Sequence, residues 1–331
     1  AHLRQDENSL SYTISLDTNE LNESTMRIHY LFEHETNYWL ENELTPKLEK
    51  WMQNAVEPKD DVIQGSIRKI SVESYCANYN RMKAKYSLAL LDIWSTVEKT
   101  DPIKFIFEDI AIAAYLVTLW QEERAKCGLT SLQKFGDIGC GNGLLTYILT
   151  NEGHSGYGVD VRRRNIWNHY EPPVKLIEQQ IDPFNDASIS SLPPADWWIG
   201  NHSDELTPWI LYMATCASAQ TRTFLLPCCP FDFNGYKFRK TSSKSQYQGY
   251  INFLQELSDQ FGFAESFRDK LRIPSTKRIC LVSTGRNYDD DEETQMCAKR
   301  KALISQRLAL RAPLQLREKI EPIRNATQIS I

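Results

Sequence analysis

The chain has 331 residues, 41% of them hydrophobic, which is enough for a sizeable core in one large domain with extensions. The net charge of −5 is unevenly laid out: residues 1–61 carry 13 acidic and 5 basic side chains, residues 222–278 carry 10 basic and 5 acidic, and residues 297–331 carry 8 and 2. A basic face is therefore open to it. No apolar run approaches the ~20 residues of a membrane span, and no leader pattern stands at the start, so the expectation is an intracellular protein with eight reduced cysteines.

In chain order, residues 1–30 read as polar, weakly patterned and partly extended. Leu40, Leu44, Leu48 and Trp51 then recur at helical spacing across Tyr38–Met52. A second helix is expected from about Ser74 to Val97, and a third from about Phe107 to Glu123, apolar enough to pack on a sheet. The rhythm then changes to short strands at Lys134–Ile138, Gly156–Val161, Val174–Glu178, Asp196–Gly200, Thr221–Leu226, Ala264–Arg268 and Arg278–Ser283. Helices fit between them at Leu144–Asn151, Leu206–Ala219 and Tyr247–Phe261. This pattern predicts an α/β, Rossmann-like, seven-stranded doubly wound sheet with an N-terminal helical extension, its ligand lying beyond the carboxyl ends of the strands. The expected division is an extension over 1–100, a ligand-binding domain over 101–285, and a segment 286–331 made of an acidic linker, Arg286–Glu293, and a basic, helix-compatible tail.

The first strand runs into Asp137-Ile138-Gly139-Cys140-Gly141-Asn142-Gly143. The glycines are spaced G-x-G-x-G, and Leu144 stands where a dinucleotide fold places its third glycine. A carboxylate at Asp137 would repel a pyrophosphate, whereas the ammonium of a methionine moiety could pair with it. Asp160 closes the next strand, where an acid accepts the hydroxyls of an adenosine ribose. Asp182 follows the third strand, within reach of an adenine amino group. Taken together, Asp137, Gly139, Cys140, Gly141, Asn142, Gly143, Asp160 and Asp182 point to S-adenosyl-L-methionine rather than NAD, and so to a class I methyltransferase fold.

The fourth strand leads into Asn201-His202-Ser203-Asp204-Glu205, which supplies groups able to orient or deprotonate a hydroxyl. An Asp-Pro-Pro-Tyr clamp for exocyclic amines is absent there. Pro227-Cys228-Cys229-Pro230 follows the fifth strand and leaves three readings open. One is a thiolate nucleophile for pyrimidine C5 methylation, another is half of a zinc site with His202, and the third is plain packing. No metal is expected on balance. Basic clusters stand at Arg162-Arg163-Arg164, at Lys237, Arg239 and Lys240 with aromatic neighbours, and at Arg272, Lys277 and Arg278. On loops along one rim they suit an RNA backbone.

These strings resemble a specific family, the eukaryotic tRNA uridine-44 2′-O-methyltransferases, which act on serine tRNA. The matching stretches are Phe107 to Leu116, Asp137 to Leu145, Gly158 to Arg164, Gly200 to Trp209, Leu226 to Asp232 and Leu271 to Arg278. The resemblance implies methyl transfer to a ribose 2′-hydroxyl of tRNA in the cytoplasm, with His202 and Asp204 as base candidates and Asn201 positioning the donor. Lys277 is the lysine to consider for a catalytic role. Gly136 departs from the pattern and is expected to loosen the first strand. Two other readings compete: an RNA cytosine-C5 methyltransferase using Cys228 or Cys229, and a catalytically silent fold that binds S-adenosylmethionine and scaffolds a modification complex.

Overall fold

A computed structural model describes residues 12–18, 24–30, 42, 44–49, 65–239 and 245–309. The chain forms two units, 1–64 and 65–331. In the first, strands β1 (Tyr12–Thr18) and β2 (Ser24–Tyr30) pair antiparallel with Tyr12 opposite Tyr30, and residues 45–49 are helical.

In the second unit two long helices precede the sheet. Helix α1 (Val72–Val97) begins where Ser71 Oγ accepts the Ser74 N–H. Helix α2 (Pro102–Cys127) starts little more than one turn ahead of its apolar run. Asp101 caps it, Pro102 pre-sets the first turn, and Gly128 ends it in the left-handed region at φ 65°. The short connection folds the two helices antiparallel, so that Asn78 donates to Thr118 Oγ1 at 3.0 Å while Trp94 stacks on Phe105.

The seven strands lie in the order β5 (Leu176–Glu178), β4 (Gly156–Asp160), β3 (Phe135–Ile138), β6 (Trp197–Asn201), β7 (Arg222–Leu226), β9 (Ile279–Thr284), β8 (Glu265–Lys270). The first five are parallel, and β9 runs antiparallel to both of its neighbours. The crossovers carry α3 (Leu144–Asn151), α4 (Asp186–Ser190), α5 (Thr207–Ala217) and α6 (Gln246–Gln260), and α7 (Glu293–Ala309) follows the sheet. This is the expected Rossmann-like α/β fold, with a core on each face. Successive residues of a strand point to opposite faces, and Trp197 and Trp198 show it: Trp197 joins Trp120 and Phe135 under α2 and α3, and Trp198 joins Ile210 and Leu254 under α5 and α6. From β3 the chain goes outward to β4 and β5, then returns to β6 on the other side. A crevice therefore opens above β3 and β6, where the loops part.

Three local features differ from the sequence reading. Gly136 does not loosen β3, because a Cβ there would sit 2.7 Å from the Tyr157 hydroxyl and 3.2 Å from Trp198, so neighbouring rings take up the space. The acidic stretch 286–293 includes a helix start, in which Asp289 and Glu292 form a capping box ahead of α7. Carboxylates favour a helix N-terminus, so a charge run that reads as a linker becomes a cap. Finally, Asn165–His169 form a short 3₁₀ helix that no periodicity signals.

Asp269, fully buried in β8, fastens the lead-in of α1 to the sheet. Its carboxylate accepts the N–H groups of Arg68, Lys69 and Lys270 at 2.8–3.1 Å and the Tyr115 hydroxyl at 3.0 Å. Alanine at this position leaves all four donors without their acceptor. The expected loss of stability in urea unfolding is about 3–5 kcal/mol, and a loss below ~1 kcal/mol would show the anchor to be dispensable.

Candidate active site

The crevice is floored by the loop after β3. Gly139, Gly141 and Gly143 all have positive φ, 78°, 54° and 75°, which side chains other than glycine adopt at a cost. The loop is fixed from behind. The N–H groups of Gly139 and Cys140 both donate to the Val159 carbonyl, Trp167 Nε1 donates to the Gly141 carbonyl at 3.0 Å, and the Tyr170 hydroxyl donates to the Asn142 carbonyl at 2.9 Å. Asn142 Oδ1 accepts the Leu144 N–H and starts α3. The Cys140 side chain is buried, and burial pushes its thiol well up, so Cys140 serves the loop through its backbone. Open space faces Gly141, where a Cβ would meet nothing within 4 Å.

Asp137 is buried below this loop. Its Oδ2 accepts the Thr146 hydroxyl at 2.8 Å, and its Oδ1 has no partner. Burial raises its pKa to about 7, with Asp109 and Asp160 adding to the rise and the Thr146 hydrogen bond opposing it. A buried carboxylate with an orphaned oxygen fits a cationic donor. Asp160 Oδ2 accepts the Gly141 N–H at 2.9 Å and Oδ1 the Arg162 N–H at 3.1 Å, which ties the ends of β3 and β4 together and leaves further lone pairs on both oxygens. Asp182 is exposed after β5, and its Oδ1 caps the Phe184 N–H at 3.1 Å.

The other wall follows β6, and two acids of α2 meet it. Asn201 Nδ2 donates to Asp109 Oδ1 at 3.1 Å, while Asn201 Oδ1 is buried without a partner. His202 Nε2 lies 3.1 Å from the buried Glu108 carboxylate, and its backbone is held at φ 54°. Burial raises Asp109 to about 7, and the nearby His202 partly offsets that rise. Sequence reading did not single out Glu108 and Asp109 as site residues. The signal was there: two adjacent carboxylates inside the apolar run from Ile106 to Leu116. Ser203 Oγ pairs with Thr207 Oγ1 at 2.9 Å, and Ser203 Cα and Cβ lie against Gly139, so the two loops touch.

Asp204, at φ 44°, turns toward the loop after β7, where its Oδ1 accepts from the Cys228 thiol at 3.2 Å. Burial and that carboxylate push the Cys228 thiol well up, and Cys229 is raised by the same causes. Both effects hold the sulfurs protonated, which disfavours a thiolate nucleophile. Lys277 precedes β9, with its ammonium 4.5 Å from the centre of the Tyr247 ring.

The basic residues divide. Arg162 and Arg163 are exposed after β4, whereas Arg164 is half-buried with an unpartnered Nε. Lys237 and Arg239 are exposed after β7, and Arg272 and Arg278 are exposed in the β8–β9 loop. Because β8 and β9 run antiparallel, that loop emerges at the same sheet edge as the others. Lys240 lies outside the described residues.

Among the described residues, no helix is long and apolar enough to cross a membrane. A family model described as "Predicted AdoMet-dependent methyltransferase" matches residues 69–183. The chain is 48% identical over 269 residues to a human protein named probable tRNA (uracil-O(2)-)-methyltransferase, covering 81% of this chain and 34% of that protein. A Drosophila melanogaster protein of the same name is 40% identical over 295 residues, covering 88% and 54%. The Neurospora crassa protein named tRNA (uracil-O(2)-)-methyltransferase is 35% identical over 242 residues, covering 64% and 46%. The chain thus spans between a third and about half of the length of these relatives.

Proposed function

The chain belongs to the family of the tRNA (uracil-O(2)-)-methyltransferases, and from that premise we propose that it transfers a methyl group to a ribose 2′-hydroxyl of tRNA. Its cofactor, S-adenosylmethionine, supplies an electrophilic methyl group on a sulfonium centre. The finer reading, implied by the resemblance of the six strings, is uridine 44 of serine tRNA, modified in the cytoplasm.

One observation carries the chemistry. The orphaned oxygen of Asp137 and the His202–Glu108 pair stand at the carboxyl ends of the adjacent strands β3 and β6, at the sheet's switch point. In this reading Asp137 pairs with the cofactor's ammonium, the backbone of Gly139 to Gly143 lets it approach closely, and Asp160 takes the ribose hydroxyls. Asn201 positions the donor through its free Oδ1, and Asp182 borders the adenine. Glu108 accepts the Nε2 proton of a neutral His202, which leaves Nδ1 free to take the proton of the attacking hydroxyl. Displacement at a sulfonium has a very good leaving group, so alignment contributes most and the base acts late. Asp204, engaged with Cys228, is the second base candidate, and Lys277 stands by at the rim. Arg162, Arg163, Arg164, Lys237, Arg239, Lys240, Arg272 and Arg278 would contact RNA phosphates.

The test is to methylate tRNA with labelled cofactor and then digest it with alkali. Ribose methylation protects the adjacent phosphodiester and gives a labelled dinucleotide. Label recovered only in mononucleotides would indicate base methylation and overturn the reading. Comparing serine tRNA with other tRNAs tests the finer assignment separately.

A further inference from the structure

Asp204, Cys228 and Cys229 are brought together from two loops, and the mechanism above leaves the sulfurs without a role. Their ligand atoms all lie within 4.8 Å of one another, with Sγ to Sγ at 3.6 Å and Cys228 Sγ to Asp204 Oδ1 at 3.2 Å. A tetrahedral zinc ion with bonds of about 2.3 Å to sulfur and 2.0 Å to oxygen sets these separations at roughly 3.8 and 3.5 Å. Two of the three separations are therefore within a few tenths of an ångström of those such an ion sets.

The backbone is arranged for it. Asp204 is held in the left-handed region at φ 44°, and Pro227 and Pro230 bracket the two cysteines. Both thiols are half-buried and the carboxylate is exposed, so the group is reachable from solvent.

We propose that Asp204, Cys228 and Cys229 form a three-ligand site for a soft divalent cation of the zinc class, its fourth position open to water or another oxygen ligand. Two thiols with one carboxylate match the ligand preferences of such ions, whereas magnesium and calcium prefer oxygen alone. On binding, both S–H bonds give way to sulfur–metal bonds and two protons pass to solvent, with no change of oxidation state. The proposal does not depend on the methyl-transfer reading.

The test uses the full chain, kept reduced with a phosphine, stripped with a chelator and titrated with Co²⁺ as the probe. One equivalent is expected to bind, with a near-ultraviolet thiolate-to-cobalt band and the intense visible bands of a tetrahedral site. The double variant Cys228→Ser, Cys229→Ser should lose the thiolate band. Asp204→Asn, which removes one of the three ligands, should keep the band with affinity lowered by more than the roughly 10- to 100-fold lost when only a ligand's supporting partner is removed. Cys127→Ser, at an exposed cysteine elsewhere, should match the unaltered chain. Absence of the band in reduced, folded protein would overturn the proposal. So would a band that survives undiminished in the double variant, whose fold is checked by its melting transition.

Discussion

Replacing His202 with alanine is expected to lower methyl transfer by roughly 10²- to 10⁴-fold, the range for removal of a positioned general base. Cofactor binding, measured by calorimetry, should change little, because the His202 imidazole pairs with Glu108 and not with Asp137. The loss should appear in kcat, since the group is asked to act only as the hydroxyl proton leaves. Glu108→Gln should lower kcat by up to about 10⁴-fold with KM preserved, because the amide no longer stabilises the imidazolium and can donate to Nε2, which places the proton on Nδ1 and removes the base. Full activity in the alanine variant would remove His202 as the base. A fall of equal size in cofactor affinity would make it a structural residue of the crevice.

The second large effect is expected at Asp137. Asparagine there removes the buried charge proposed to meet the ammonium, and the affinity for S-adenosylmethionine should fall about 100-fold or more, corresponding to about 3 kcal/mol. The unaltered chain should also show a pH dependence of definite sign. The ligand-free carboxyls of Asp137 and Asp109 titrate near 7, raised by burial. A carboxyl whose pKa rises on folding holds its proton more tightly in the folded chain than in the unfolded one. The ligand-free fold therefore loses stability as pH rises from about 4 to about 7. The cationic ligand binds the ionised form, so its affinity should rise over the same window and level off above about 7. Asp109 lies close enough to Asp137 to influence it, so the titration belongs to the pair. Calorimetry at pH 6 and pH 8, in buffers of different ionisation enthalpy, should show net proton release only at the lower pH. Affinity that is flat with pH, or unaffected by Asp137→Asn, would remove the ammonium contact.

Much of the proposed site was legible because its spacing is local. The turn from Asp137 to Gly143 and the acid at Asp160 lie at the ends of adjacent strands, and strand ends can be read from hydrophobic runs and glycines. The strand order could not be read that way, because it depends on which crossover goes left or right, a choice made by packing on both faces at once. The same holds for Asp269, which reads as one more charge in an edge strand but anchors residues some 200 positions earlier.

The sequence by itself determined the glycine turn after β3, the acid that leads it and the α/β architecture, since these follow from turn chemistry and periodicity over short distances. The tertiary structure alone decided that Glu108 and Asp109 of an N-terminal helix would meet His202 and Asn201 beyond β6, 92 to 94 residues later. It also decided that Asp204 would turn away to the cysteine pair. Buried charge carries no periodicity of its own. Its partner is set by where the whole chain folds, because a carboxylate removed from water must find a donor wherever the packing provides one.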